Sequence, residues 1–147
     1  MEILLKRAKR VGDIGEIPVA AVILDNKGRC IGRGSNRREM DSDPLGHAEI
    51  IAIRQAAFIK RDWRFNECTL IVTLEPCPMC AGALIQARMG QVIFAASDYK
   101  RGCLGGTINL ANQNSSHHKM YIKGGVKENE AKKQLEDWFK QRRNLLL

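Results

Sequence analysis

Short apolar runs separated by polar turns predict the strands of this chain. Three of the runs are dense and rich in β-branched residues, which is typical of strands buried on both faces of a sheet. They are PVAAVIL at 18–24, TLIVTL at 69–74 and QVIFAA at 91–96. The first is followed by the turn signal DNKG and by RCIGRGSN, so we expect a hairpin there. MYIKGG, at 120–125, predicts a weaker strand.

Apolar residues at helical spacing alternate with these runs. We expect a short amphipathic helix over 3–11, a helix over 47–60 after the loop MDSDPLG, and a helix with Pro78 at its first turn. The segment 127–143 predicts a closing amphipathic helix. Its expected buried face consists of Leu135, Trp138 and Phe139.

The alternation of strands and helices indicates an α/β layered fold with a largely buried central sheet. The 147 residues contain no evident repeat, linker or low-complexity segment, so we expect one domain over 1–147. No run reaches the roughly 20 apolar residues of a membrane span, and the basic opening MEILLKRAKR does not resemble a signal peptide. We therefore expect a cytoplasmic protein without a membrane partner.

The net charge is compatible with a polyanionic partner but does not by itself establish one. The chain has 24 lysine and arginine residues against 16 aspartate and glutamate residues, a formal charge of +8. Basic residues fall in clusters, such as KRAKR at 6–10 and RR at 142–143. This balance suits a polyanionic partner. A solvated surface that keeps the protein in solution explains it equally well, so charge alone leaves the partner open.

The five cysteines do not predict a disulfide framework, because their number is odd and the sequence shows no secretion signal. Two of them form CPMC at 77–80, a spacing found both in thiol redox motifs and in zinc sites. A closed structural zinc site lacks ligands, since no second C-x-x-C and no H-x3-H is present. With His47 as third ligand beside Cys77 and Cys80, the fourth position stays open, as in catalytic zinc sites. Redox exchange between the two cysteines is the alternative.

Glu49 stands two residues after His47, in the first turn of the same predicted helix. From there its carboxylate could reach a water on the metal and move a proton without being a ligand. Taken singly, His47 could be a capping or core histidine, and Glu49 a favourable charge in a first helical turn. Their joint placement before CPMC favours the zinc site, because the redox motif gives the HAE segment no role.

The pattern H-A-E…P-C-P-M-C matches the H-x-E…P-C-x-x-C signature of zinc nucleobase deaminases. The chain resembles the bacterial tRNA adenosine deaminases over about Gly15 to Arg143, in GEIPVAAVI, GSNR, HAEIIAIRQA, TLIVTLEPCPMCAGALIQAR, SDYKRG and DWFKQRR. The segments HAEI and EPCPMCAGA are shared with cytosine and guanine deaminases. SDYKRG and the aromatic, basic C-terminal helix favour the tRNA enzymes.

This resemblance implies a cytidine-deaminase-like three-layer α/β/α sandwich around a mixed, mostly five-stranded sheet, in a homodimer with one Zn²⁺ per subunit. It implies hydrolysis of adenosine to inosine at the wobble position of a tRNA anticodon stem-loop. His47, Cys77 and Cys80 would bind zinc, and Glu49 would carry the protons. The substrate contacts carried over from the family are Asn36, Ala48, Asp98, Lys100, Phe139 and Arg142.

The chain departs from that family in a few places. The opening helix is shorter, Ala21 replaces a common glycine, Gly106 replaces a common serine, and His117 replaces a common asparagine. These differences leave the zinc pattern intact but leave the substrate open. The alternatives are a deaminase of a free base or nucleoside, such as cytosine or guanine, and a zinc-stabilised RNA-binding protein without catalytic activity.

Overall fold

The structure, a computed structural model, describes residues 1–145 as five strands, five α-helices and a short 3-10 helix at Leu110–Asn112. The strands are β1 (Ala20–Leu24), β2 (Cys30–Ser35), β3 (Thr69–Leu74), β4 (Gln91–Ala96) and β5 (Tyr121–Lys123). The helices are α1 (Glu2–Asp13), α2 (Arg38–Asp41), α3 (Ala48–Lys60), α4 (Pro78–Gln86) and α5 (Glu128–Leu145). None of the helices in this part of the chain has the length and apolar character that a membrane span requires.

The strands form one mixed sheet in the order β2-β1-β3-β4-β5. Strand β1 pairs antiparallel with β2 and with β3, whereas β3, β4 and β5 run parallel. Parallel neighbours need a crossover connection, which α4 supplies between β3 and β4. In the register of these two strands Leu74 lies opposite Ala96. The loops that follow them therefore leave the same edge of the sheet.

Helices cover both faces of the sheet and complete the three layers that the resemblance implied. On one face, alternate residues of the central strands, among them Ile23, Leu70 and Val92, pack under α3 and α4. On the other face, Ala20 of β1 packs against Leu4 of α1. Strand β4 packs against α5 on that same face. Because successive side chains of a strand point to opposite faces of the sheet, the strands contribute to a hydrophobic layer on each face.

The predicted strands and long helices are confirmed, with ends that agree within two residues. The loop predicted for MDSDPLG is wrong in its first part, because α2 extends to Asp41. No side-chain cap marks the start of α2. Its Met40 N–H donates instead to the distant carboxylate of Glu16, at 2.7 Å, and sequence spacing does not reveal this partner.

The buried face predicted for α5 is also wrong at one position. Phe139 is 43% exposed, whereas Leu135 and Trp138 are half-buried and Ala131 is the buried residue of the helix. Trp138 donates its indole N–H to the carbonyl oxygen of Gly12 at 3.0 Å. This bond turns Trp138 toward α1, and the neighbouring ring of Phe139 faces a cavity rather than the sheet.

Helix α3 lies directly on strand β2, because two glycines leave no side chain between them. A Cβ atom at Gly32 would collide with the carbonyl oxygen of Ala52, and one at Gly34 with that of Ala48. The helix presents small buried residues along the same seam, Ala48, Ala52 and Ala56, at intervals of about one turn. Contact between the two backbones therefore sets the distance of α3 from the sheet.

Replacing Gly34 with alanine is expected to lower the free energy of unfolding by about 1–3 kcal/mol, because the methyl group must push α3 away from β2. Gly82→Ala in α4 is the matched control, since a Cβ there meets nothing within 4 Å. Alanine at that helical position should be neutral or stabilise by up to about 1 kcal/mol. Urea denaturation measures both variants. Wild-type stability in Gly34→Ala would show that α3 does not rest on the strand backbone.

Candidate metal centre

Two helix N-termini meet at one edge of the sheet and carry the candidate ligands. His47 is the N-cap residue of α3, with extended backbone angles of φ −80° and ψ 147°. Cys77 is the N-cap residue of α4, and Pro78 follows at the first turn, where its missing N–H is not needed. Cys80 lies in the same first turn and is buried. The positive ends of the helix dipoles favour thiolates at this place.

The side chains of His47, Cys77 and Cys80 form a compact cluster of donor atoms. Nδ1 of His47 lies 3.6 Å from Sγ of Cys77 and 3.5 Å from Sγ of Cys80, and all three atoms lie within 4.8 Å of one another. Tetrahedral zinc, with Zn–N of about 2.0 Å and Zn–S of about 2.3 Å, places such atoms about 3.5 Å apart. Within residues 1–145 no fourth side chain joins the cluster. The residues present thus fit a zinc ion with three protein ligands.

The surroundings of Cys77 and Cys80 shift the pKa values of the two thiols in opposite directions. The hydrogen bond with Cys80 lowers the pKa of Cys77 to about 4, and the contact with His47 contributes to the same shift. The shared hydrogen bond and burial raise the pKa of Cys80. The hydrogen bond with Cys77 raises the pKa of His47. The protein alone therefore favours one thiolate, and a bound dication would supply the charge that a second thiolate needs.

Glu49 is a buried carboxyl group beside this cluster. It lies in the first turn of α3 and is only 4% exposed. Burial raises the pKa of Glu49 to about 7, and the negative charge of Cys77 acts in the same direction. A carboxyl group that titrates near neutrality can both accept and release a proton. Since Glu49 is not part of the donor cluster, it is available for proton transfer rather than for metal binding.

A cavity of about 600 Å³ opens above the donor cluster and Glu49. It is lined by five of the six substrate contacts that the resemblance carried over. They are Asn36, Ala48, Asp98, Lys100 and Phe139. Arg142 is the exception, because its guanidinium lies 5.1 Å from the ring centre of Trp138 and lines a second cavity of about 440 Å³. Arg143, which the resemblance did not single out, lines both cavities.

Asn36 is held at the cavity by a buried carboxylate that the sequence analysis missed. Glu16, only 1% exposed, accepts hydrogen bonds from Nδ2 of Asn36 at 3.1 Å and from the backbone N–H of Met40 at 2.7 Å. Because the amide nitrogen of Asn36 is engaged, its side-chain oxygen stays available as an acceptor for a ligand. The hydrogen bond to Glu16 therefore orients the Asn36 amide at the cavity.

A second missed carboxylate, Glu75, holds the loop over 97–106. The buried side chain accepts three backbone N–H groups, from Asp98 at 2.9 Å, Leu104 at 2.9 Å and Gly106 at 2.8 Å. A Cβ atom at Gly106 would collide with the backbone of Asp98. Glycine at this position, one of the departures from the family, is therefore required by the tight loop.

Asp98 and Lys100 reach the cavity from that loop in different ways. Oδ1 of Asp98 accepts the backbone N–H of Lys100 at 2.9 Å and that of Arg101 at 3.0 Å, so this carboxylate shapes the turn. Lys100 is exposed and brings a cation to the cavity. Both residues line the cavity, and Oδ1 of Asp98 is engaged within the loop.

Glu75 carried one signal that sequence reasoning could have used, because a charged residue directly follows the apolar strand TLIVTL. Glu16 carried none, since it stands in a polar turn. The hydrogen-bond partners of these carboxylates lie 20 to 31 residues away along the chain. Only the fold brings them together.

The family model for the cytidine and deoxycytidylate deaminase zinc-binding region matches residues 1–96. A tRNA-specific adenosine deaminase of Haemophilus influenzae is 40% identical over 143 residues, which span 97% of this chain and 83% of that protein. The corresponding protein of Bacillus subtilis is 39% identical over 143 residues, 97% of this chain and 88% of its own length. The matched region of the family model contains all three donor residues and Glu49.

A solved structure from work on A-to-I editing by tRNA:A34 deaminases at the wobble position of transfer RNA is also similar. Its TM-score is 0.87 at 35% sequence identity, and the match covers 91% of this chain and 96% of that one. The cytidine-deaminase-like fold that the sequence resemblance implied is therefore confirmed.

Replacing Cys80 with serine is expected to reduce bound zinc from about one ion per chain to a small fraction, and to lower the melting temperature, because metal binding is coupled to folding. Cys30→Ser is the control, since Cys30 is exposed and stands outside the donor cluster. Elemental analysis and thermal denaturation of both variants provide the test. Full zinc content in Cys80→Ser would rule out Cys80 as a ligand.

Replacing Glu75 with glutamine is expected to destabilise the protein by about 1–3 kcal/mol, because an amide NH₂ would then face a backbone N–H. Hydrogen exchange at the amides of Asp98, Leu104 and Gly106 should accelerate beyond the global change. Glu67→Gln is the control, because that side chain is exposed. Unaltered exchange in Glu75→Gln would mean that the loop is held by other contacts.

Proposed function

Because this chain belongs to the cytidine and deoxycytidylate deaminase family, we propose that it hydrolyses adenosine to inosine at the wobble position of a tRNA anticodon. The observation that carries the proposal is the His-Cys-Cys donor cluster with a buried glutamate beside it, facing one cavity. The relatives named tRNA-specific adenosine deaminase support the choice of substrate, since they align over nearly the whole chain.

In the proposed reaction His47, Cys77 and Cys80 hold zinc and Glu49 moves the protons. When bound, zinc supplies a Lewis acid that activates a water molecule for attack on carbon 6 of the purine. A carboxylate oxygen of Glu49 accepts the first proton of that water and passes it to ring nitrogen N1. Glu49 then passes the second proton to the departing amine, so that ammonia leaves and the carbonyl of inosine remains. A pKa near 7 suits a group that must accept and release protons in one cycle.

The walls of the cavity support a nucleotide as ligand. Its volume of about 600 Å³ lies within the range of roughly 300–1,000 Å³ that is usual for ligand pockets. Asn36, oriented by Glu16, offers an acceptor oxygen at the cavity, and Ala48 leaves room beside the donor cluster. Phe139 presents an aromatic ring to the same space, suited to stacking on a base.

Cationic side chains around the cavity favour RNA over a free base. Lys100, Arg101, Lys132 and Arg143 line the cavity together with the carboxylates of Asp98 and Glu136, of which Glu136 pairs with Lys132 at 4.0 Å. A free cytosine or guanine carries no phosphate that such residues would bind, which argues against the small-molecule alternative. The alternative of a non-catalytic zinc protein leaves Glu49 without a role, because a structural zinc needs no proton carrier.

We extend the proposal to the organisation of the protein: one domain over 1–147, acting in the cytoplasm as a homodimer with one zinc ion per subunit. The resemblance and the tRNA substrate are the grounds for the compartment and for the dimer. Phe58, Ile59 and Trp63, in the last turn of α3 and the loop after it, are large exposed apolar side chains that a second copy could cover.

Replacing Glu49 with glutamine is expected to reduce inosine formation by about 10²–10⁴-fold while zinc content stays at the wild-type level, because Glu49 moves protons and is not a ligand. Glu136→Gln provides a control for lost negative charge in the same cavity. Activity is measured by inosine in an anticodon stem-loop. Wild-type activity in Glu49→Gln would refute the proton-carrier role.

The choice of substrate is tested by incubating zinc-loaded protein with an anticodon stem-loop and, separately, with adenosine, cytosine and guanine. We expect inosine in the stem-loop at the wobble position and little turnover of the free compounds, because only RNA engages the cationic rim. Efficient turnover of a free base without RNA would favour the small-molecule deaminase instead. No product from any of the four would refute the enzymatic proposal.

A further inference from the structure

Arg38 lies where the catalytic cavity and the second cavity meet, and it lines both. The side chain is half-buried, and its Nε has no exposed surface. No acceptor lies within hydrogen-bond distance of this Nε among residues 1–145. A buried donor without an acceptor is unfavourable and uncommon in folded proteins. The remaining part of the half-buried side chain lines the two cavities, and there a ligand can reach it.

Two other arginines of this part of the chain are paired with carboxylates at the surface. Arg37, the adjacent residue, donates hydrogen bonds to both carboxylate oxygens of Asp41 at 2.8 and 2.9 Å. Arg29 pairs with Asp25 at 2.7 Å. Arg38, which has no such carboxylate partner among residues 1–145, lines both cavities, as Arg143 does.

The second cavity has a positive balance that favours an anion at this junction. Arg142 and Arg143 line it together with Arg38. Two acidic residues, Glu16 and Glu39, also line it. Glu16 is already engaged by Asn36 and by the backbone of α2, so its carboxylate is not available to Arg38. A guanidinium presents paired N–H groups that match the oxygens of a phosphate.

We propose that Arg38 binds a backbone phosphate of the RNA strand at this junction and so selects polynucleotides over free nucleosides. This role rests on the proposed function, because it requires an RNA substrate whose target base enters the catalytic cavity. Arg38 is a substrate-binding residue in this scheme, and it takes no part in proton transfer. Its loss should therefore affect KM far more than kcat.

The first test compares Arg38→Gln, Arg38→Lys and Arg54→Gln on an anticodon stem-loop over a range of salt concentrations. Arg54 is the control for lost charge, since it is exposed on α3 and lines neither cavity. Arg38→Gln should raise KM about tenfold with kcat within about twofold of wild type. It should also reduce the slope of log(kcat/KM) against log salt by about 0.7, the contribution of one phosphate contact on a single strand. Arg38→Lys should lie between, and Arg54→Gln should match wild type.

The second test places the change in the RNA, so that it does not depend on the folding of a variant. A neutral methylphosphonate replaces the phosphate on the 5′ or the 3′ side of the target adenosine. One of these two substrates should raise the KM of the wild-type protein by a similar factor and have little further effect on Arg38→Gln. No effect of either substrate on the wild-type protein, or equal effects on both proteins, would overturn the role of Arg38. If the zinc-loaded wild-type protein formed no inosine at all, the proposed function would fail, and this role with it.

Discussion

The contact between the backbone of α3 and the glycines of β2 is the constraint on which the candidate site depends. Ala48 lies between His47 and Glu49 in sequence, and its carbonyl oxygen rests on Gly34. A candidate metal ligand and the proposed proton carrier thus flank the residue that packs against the sheet. Because a helix is stiff over one turn, neither side chain can move relative to β2 without displacing the helix. The packing of α3 on β2 therefore determines where His47 and Glu49 lie.

Three buried glutamates, Glu16, Glu49 and Glu75, also shape the site, and their surroundings differ. Glu16 and Glu75 accept hydrogen bonds from backbone N–H groups, which compensate the burial of a charge and tie loops to the sheet. For Glu49 burial is the dominant influence, and it raises the pKa to about 7. Backbone donors converge on Glu16 and Glu75 and give them a structural role, whereas the raised pKa of Glu49 suits the proton transfer proposed for it.

The sequence was sufficient for everything that depends on local pattern or on a short motif. The strands at 69–74 and 91–96, the start of α4 at Pro78 and the donor set with His47 follow from periodicity, the position of proline and ligand spacing. The roles of Glu16 and Glu75 could not be predicted, because their partners are brought together only by the sheet. The exposure of Phe139 was missed for a similar reason: the hydrogen bond from Trp138 to Gly12 decides the rotation of α5.

The net charge of +8 was ambiguous as composition and becomes informative once each cation is placed. Several cations are matched locally by a carboxylate a few residues away, as in Lys9 with Asp13, Arg37 with Asp41 and Lys133 with Asp137. Such exposed pairs add little stability and leave no field at a distance. Lys100, Arg101 and Arg143 line the cavity above the donor cluster instead and have no such pairing among residues 1–145. Part of the excess positive charge thus lies beside the cavity that contains Glu49, where a polyanion would have to lie for one of its bases to reach that residue.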